Sequence, residues 1–278
     1  MNTFNLHDLE LLKYPRTPHL EGSRLQTGDE GHFHVPYKTL AGKQIVIEEK
    51  LDGANCALRF DSYGQLFLQS RGHFLGGGGN ERQFALLKKW ASVHEPRLLE
   101  ILTDRYIVFA EWLHKKHSVF YDSLPTYFAE FDIWDRHSNQ WLDTKTRASI
   151  LSPLPVLSVP VLYQGIAPKK LSDLVSFLAP SLGKSPNWKA SFERTVIREK
   201  LELEKAWQLC DLNTLAEGLY IKVEENGSVV ARYKWVRPDF VQTLISHNVH
   251  HSQQPYIANQ LREGVDIFSP KLTENWSS

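Results

Sequence analysis

A lysine stands where a strand breaks. Lys50 follows Lys43-Gln44-Ile45-Val46-Ile47, a β-branched run that predicts a strand, and precedes Leu51-Asp52-Gly53-Ala54-Asn55. Cys56-Ala57-Leu58-Arg59-Phe60 then alternates as a second strand. Gly53 lets a ligand approach the backbone closely. By position alone, Lys50 is a solvated loop residue. Its chemical reading is an amine nucleophile, and the rest of the chain bears on which reading holds. Glu111 ends the apolar run from Tyr106, and Glu217 opens another at Gly218. Lys222, Arg232 and Lys234 lie on two segments joined by Glu225-Asn226-Gly227, a strong hairpin signal. Lysines on adjacent strands are ordinarily exposed surface. These would matter only if the hairpin returns to Lys50.

The elements that must hold these groups read as follows. Residues 1–30 form a loop-rich lead-in with a short helix at Leu6–Lys13. His32 and His34 share a strand face, with no third ligand nearby. Gln65–Ser70 reads as a strand delivering Arg71. The run Gly76–Gly79 lacks the Gly-Lys-Ser/Thr ending of a P-loop and reads as a flexible loop. Asn80 with Gln83 approaches a capping box, predicting a helix start, and a second helix is expected around Pro96–Thr103. Tyr106–Trp112 and Thr126–Trp134 are near-continuous apolar strands. Between them, His114-Lys115-Lys116-His117 is a basic loop, either a solvated hairpin end or a phosphate contact at the mouth of a site. A helix starts at Thr144, Val156–Tyr163 is a strand, and Lys169–Leu178 and Lys189–Leu212 read as helices. A further helix is expected at Phe240–Ser246.

Lys50-Leu51-Asp52-Gly53 resembles motif I of the covalent nucleotidyltransferases, the superfamily of DNA ligases, RNA ligases and mRNA capping enzymes. The later motifs follow in family order. Ser70-Arg71-Gly72 resembles motif Ia, Phe109-Ala110-Glu111 motif III, and Phe131-Asp132-Ile133 motif IIIa. Glu217-Gly218-Leu219-Tyr220-Ile221-Lys222 resembles motif IV, and Arg232-Tyr233-Lys234 motif V. Six matches in order between residues 50 and 234 make the resemblance specific. Asn55, where DNA ligases carry arginine, resembles the phage-type RNA ligases that seal nicks in duplex RNA. Two departures stand out: Asp52, where that branch often has histidine, and Arg232, where it has lysine. Arginine keeps the charge but changes the geometry of a phosphate contact.

The resemblance implies an α+β nucleotidyltransferase core, ATP-grasp-like, of antiparallel sheets flanked by helices. It implies ATP with Mg²⁺ or Mn²⁺, and a covalent lysyl-AMP intermediate on Lys50. The implied catalytic set is Lys50, Lys222 and Lys234, with the last two lowering the proton affinity of Lys50 and binding phosphate oxygens. Glu49, Asn55, Arg71, Glu111, Phe131, Lys222, Arg232 and Lys234 join Lys50 as the expected nucleotide-binding groups. Glu111 would hold a ribose hydroxyl and Phe131 offer an aromatic face to adenine. Glu217 and Asp52 are the expected metal carboxylates.

Composition narrows the setting. With 278 residues the chain can bury one large core or two modest ones. Its formal net charge of zero argues against a general nucleic-acid coat protein, though not against a local basic cleft. Two cysteines give no disulfide framework, which suits a reducing compartment. No charged n-region with a following apolar stretch opens the chain and no run is long enough to span a membrane, so the expectation is a cytoplasmic monomer. The expected layout is an adenylyltransferase domain at 1–240, a mostly helical insertion near 144–213, and a short helical tail at 241–278. The expected partner is RNA bearing 3′-OH and 5′-phosphate ends, with a separate RNA-binding or end-processing protein as a further partner. The competing readings are a capping-type guanylyltransferase, which GTP labelling would reveal, and a catalytically silent RNA-binding module, which no nucleotide would label.

Overall fold

Two antiparallel sheets meet at the Lys50 segment. The computed structural model describes residues 10–25, 34–240 and 255–277. The first sheet has the order β10-β9-β1-β8, built from β1 (Gln44–Lys50), β8 (Val161–Ile166), β9 (Gly218–Glu225) and β10 (Ser228–Val236). The second runs β3-β2-β4-β5-β6, from β2 (Ala54–Phe60), β3 (Leu66–Ser70), β4 (Tyr106–Trp112), β5 (Phe128–Asp135) and β6 (Gln140–Trp141). The two-residue β7 (Leu157–Ser158) adds a parallel pairing to β5. The chain leaves the first sheet at Lys50 and enters the second at Ala54, so Leu51-Asp52-Gly53 is the crossing.

Register places the site groups at this crossing. Lys50 lies opposite Gly218 on β9, and Asn55 opposite Glu111 on β4. Gly218 has no alternative: a Cβ there would sit 2.1 Å from the Trp235 carbonyl oxygen. At Gly53 a Cβ would come within 2.7 Å of the Trp112 carbonyl oxygen. Both glycines let one strand end lie against another. The β9–β10 hairpin turns at Asn226 and Gly227 with φ of 51° and 83°, the pair of positive values that a type I′ turn demands.

Each sheet buries its own face. Ile45, Ile47, Leu219, Ile221 and Trp235 pack under the first sheet. Leu58, Val108 and Phe128 of the second pack against Trp90 and Leu98 of helix α1 (Ala85–Leu102). This confirms the expected α+β core of antiparallel sheets flanked by helices.

Several expectations are corrected. The run from Gly79 begins as a 3-10 turn through Phe84, so α1 starts one turn after Asn80. It then runs unbroken through Pro96, where a second helix was expected. Pro96 and Ser92 are both exposed, so water can satisfy the carbonyl that proline leaves without a donor. The expected strand Val156–Tyr163 divides into β7 and β8. The helix expected at Lys169–Leu178 shrinks to α3 (Leu171–Val175). The one expected at Lys189–Leu212 is two helices, α4 (Trp188–Arg198) and α5 (Leu203–Gln208). Lys200 separates them with φ of 56°, while Leu201 N–H donates to the Val196 carbonyl and Lys200 N–H to that of Ile197. This is a Schellman stop, sealed by packing Leu201 and Val196 in one cluster.

The stretch 144–213 supplies α2 (Thr144–Leu151), β7, β8 and these helices. Because β7 and β8 belong to different sheets, its strands are woven into the core rather than attached beside it. At the ends, residues 10–13 carry no helix, and the other residues of the expected lead-in helix lie outside the described residues, as do His32 and, past Phe240, the rest of the helix expected at Phe240–Ser246. The tail expected to be helical has no helix over 255–277. Its backbone pairs with the 113–124 loop instead: Lys116 N–H donates to the Ile257 carbonyl, and Asn259 N–H to that of His114. Among the described residues no helix is long and apolar enough to cross a membrane.

Candidate active site

Lys50 Nζ donates to Glu217 Oε2 at 2.8 Å. Its neighbours follow from the sheet crossing. Glu217 immediately precedes β9, and Glu111, near the end of β4, accepts from Gly53 N–H at 2.8 Å. The balance of charge at this point is acidic. Burial pushes Lys50 down, but Glu217, Glu111 and Asp52 outweigh it and raise the lysine above its usual value. Burial likewise pushes Glu217 up to about 7 and Glu111 up to about 8, even though Lys50 pulls both down. The free site therefore stores Lys50 as an ammonium in an ion pair. The sequence expectation was a lysine already driven toward neutrality by cations. Here the acids around it outnumber them.

An open cleft of about 560 Å³ lies over this pair. It gathers Glu49, Lys50, Asp52, Asn55, Arg71, Glu111, Phe131, Glu217 and Lys234 from the expected set. Arg71 is exposed just beyond β3, in a turn held by the Ser70 N–H to His73 carbonyl bond. Phe131 is half-buried on β5, its ring edge-on to Tyr14 at 5.0 Å. Glu49 is buried and accepts from the Ser181 hydroxyl and from Leu182 N–H. Burial pushes its carboxyl up to about 7. Asp52 has a structural task as well: its Oδ2 accepts from Ser118 N–H and Val119 N–H, each at 2.7 Å. This pins the loop after β4 to the crossing.

Lys222 and Arg232 do not line the cleft. Lys222 is fully buried, pairing with Glu48 at 2.9 Å and Asp132 at 3.6 Å and donating to the Phe131 carbonyl. Arg232 Nε donates to Asp132 Oδ2 at 2.8 Å, and its guanidinium lies 4.4 Å from the Trp141 ring centre. Arg147 completes this layer by bridging Glu48 and Glu130. Glu48 belongs to the first sheet and Glu130 and Asp132 to the second, so the cations tie the sheets together beneath the cleft floor.

Sequence reasoning missed the lead-in. Tyr14 and Thr17 line the cleft. The Tyr14 hydroxyl donates to Asp132, and both it and Thr17 Oγ1 lie 2.8 Å from the Tyr220 hydroxyl. No local pattern announces a contact spanning 118 residues. The lone signal was an aromatic in a Pro-rich lead-in. His73 and His117 also line the cleft. The 114–117 loop is not a solvated hairpin end, because Lys115 and Lys116 are both buried.

Comparison with known proteins adds an independent line. A model of the RNA ligase family matches residues 43–236. No curated protein matches the sequence. Among solved structures, an arginine-to-alanine variant of Naegleria gruberi RNA ligase with ATP and Mn superposes with a TM-score of 0.52 and 16% identity, covering 85% of this chain and 58% of that one. The same ligase with PPi gives a TM-score of 0.48 and 17% identity, covering 76% and 53%. The chain thus spans little more than half the length of that ligase. At this identity the likeness concerns the fold.

Proposed function

The chain belongs to the RNA ligase family, and from that premise we propose that it joins 3′-OH and 5′-phosphate RNA ends with ATP, through a lysyl-AMP intermediate on Lys50. The observation that carries this reading is the Lys50–Glu217 pair at 2.8 Å on the floor of the cleft where the motif residues converge. In the first step Lys50 Nζ attacks the α-phosphorus of ATP. The N–P bond forms, the bond to the bridging oxygen of the β-phosphate breaks, and pyrophosphate leaves. The RNA 5′-phosphate then displaces Lys50 from AMP, and the 3′-OH finally displaces AMP. Dividing one hard transfer into covalent steps is the advantage of the nucleophile.

Before attack, Lys50 must leave Glu217 and shed a proton. Lys234 and Arg71 are the cations that face the cleft, and they suit the phosphate oxygens as charge spreads over them. Phe131 gives the base an apolar face, and Glu111 and Asn55, paired across β2 and β4, suit the ribose. Lys222 and Arg232 act from below, by holding the sheets that carry Lys50 and Lys234.

The residues fit a divalent ion. Three carboxylates crowd one lysine, and the burial that raises Glu217 is relieved by a cation. Among the described residues, no group of three or more His, Cys, Asp or Glu side chains is placed to hold a metal unaided. Such an ion would therefore draw most of its ligands from phosphate and water, as Mg²⁺ does. Glu217 would hold it, with Asp52 able to offer only the oxygen not committed to the 118–119 amides. When bound, the ion supplies positive charge to the phosphate oxygens.

The test is incubation with each labelled NTP and Mg²⁺, followed by a denaturing gel and peptide mapping. ATP should label the chain, and Lys50→Ala should abolish the label. Equal labelling by GTP would favour the capping reading, and no labelling by any nucleotide would favour the silent RNA-binding module.

A further inference from the structure

The cleft has a cationic shoulder that no step above uses. Arg82 sits in the 3-10 turn before α1 and is exposed. Its guanidinium lies 5.1 Å from the ring centre of Tyr256, and Lys115 Nζ lies 5.8 Å from the same centre. The Tyr256 hydroxyl is 2.7 Å from His114 Nδ1. Thus the ring, itself on the tail, gathers two cations and a histidine from two other parts of the chain.

The shoulder is built into the fold. Tyr256 arrives on the tail, which is locked to the 113–121 loop by Asn259. The Asn259 amide donates to the Leu113 carbonyl at 2.6 Å and accepts from Tyr121 N–H at 3.0 Å. The shoulder also continues into the catalytic cleft. Gln83, next to Arg82, and His117, two residues from Lys115, both line the cleft and lie 3.4 Å apart. Burial pushes Lys115 down, and its like-charged neighbours Arg82 and Lys116 push it further. No carboxylate among the described residues forms an ion pair with Arg82. In a chain with zero formal net charge, an exposed arginine held on a ring at the cleft mouth, with a second cation beneath it, has a physical use if an anion lies across it.

We propose that the exposed Arg82, held on the Tyr256 ring with the buried Lys115 adding positive charge beneath it, binds the phosphate backbone of the RNA strand entering the cleft. This rests on the ligase reading and gives it a substrate track. A track at this position lets the tail help align RNA ends while leaving the ATP step to the cleft. Phosphate contacts of this kind fix register without reading sequence, and they carry a salt dependence.

The experiment uses the full chain, a nicked RNA duplex with a 5′-phosphate as probe, and the variants Arg82→Ala, Arg82→Glu and Lys115→Ala. Binding is measured across a salt series, and Lys50–AMP formation is measured separately with ATP alone. Arg82→Ala should weaken RNA binding about ten-fold regardless of sequence and lower the salt slope by about one, with Arg82→Glu weaker still. Lys50–AMP formation by both Arg82 variants should match the parent. Binding and salt slope unchanged in all three variants would overturn the proposal, as would a parent that binds no RNA. A parallel loss of Lys50–AMP formation would overturn it too, because the phosphates bound would then be those of ATP. If the parent forms no Lys50–AMP yet shows the expected RNA binding series, the shoulder stands and the ligase reading falls.

Discussion

Replacing Glu217 by glutamine should pull two properties of Lys50 in opposite directions. At 2.8 Å, opposite unit charges attract by about 6 kcal/mol at an effective dielectric near 20. Desolvation of both groups offsets much of this. Still, a residue of about 1.4 kcal/mol would multiply the free-amine fraction of Lys50 ten-fold. Glu217→Gln should therefore make Lys50 more reactive toward an amine-directed acylating reagent near neutral pH, with its reactivity profile displaced to lower pH. The same variant should be a poor ligase. If Glu217 helps position the metal and phosphates, its loss should cut Lys50–AMP formation by roughly 10²–10³, as for other charge-stabilising groups. The assays are peptide mapping of the acylated lysine over a pH series and single-turnover labelling with ATP and Mg²⁺. A variant with faster acylation and unimpaired adenylylation would show that Glu217 only stores the ammonium. A variant with unchanged acylation would refute the charge-pair reasoning itself.

Other consequences follow from the same geometry. Lys234→Ala should cut adenylylation about 100-fold, read by single-turnover labelling with ATP and Mg²⁺. Arg232→Met should instead cost about 3–5 kcal/mol of stability by leaving a buried carboxylate short of a partner, measurable by urea unfolding. Asn259→Ala should cost about 1–3 kcal/mol, since it strips partners from buried backbone groups of the 113–121 loop. A chain ending at Phe240 should fold poorly, because it loses the buried Ile257 and Trp276 as well. For pH, Glu49, Glu111 and Glu217 bind protons more tightly in the folded state than their usual 4.5. Their contribution to stability is thus present below about 4.5 and lost as pH rises through about 7 to 8, a decline that Glu217→Gln should soften in thermal melts.

What the sequence disclosed was local. The Lys50 break, the Asn226-Gly227 hairpin and the strands around Glu111 and Phe131 each rest on a few neighbouring residues. The structure places them accordingly. The errors also have local causes. Lys200 carries no glycine to announce a helix stop, because its Schellman bonds and the Leu201–Val196 contact supply the reason to turn. Pro96 looks like a breaker until its exposed face is known. The tail's lack of helix is decided by the carbonyls and amides of the 113–124 loop, more than 130 residues away in sequence. Tyr14 belongs to the same class: its place in the cleft depends on Asp132 and Tyr220, which only the folded sheets bring near.

The hairpin cations are divided between the layer beneath the cleft and the cleft itself. Arg232 and Lys234 point to the same side of β10, yet Arg232 lies opposite Lys222 and Lys234 lies opposite Tyr220. Two cations facing each other across strands repel. Asp132, reaching from the second sheet, resolves this by taking Arg232 on one oxygen and approaching Lys222 with the other. Burial pushes the Asp132 carboxyl up, but Lys222, Arg232 and Arg147 together hold it below its usual range, so it remains a charged staple between the sheets. Lys234 is one step further toward the crossing at Lys50, past the reach of that staple, and faces the open cleft. The strand's two-residue period thus separates a cation paired between the sheets from one that lines the cleft. The arginine at 232, able to bond Asp132 while lying over the Trp141 ring, suits the first task better than a lysine would.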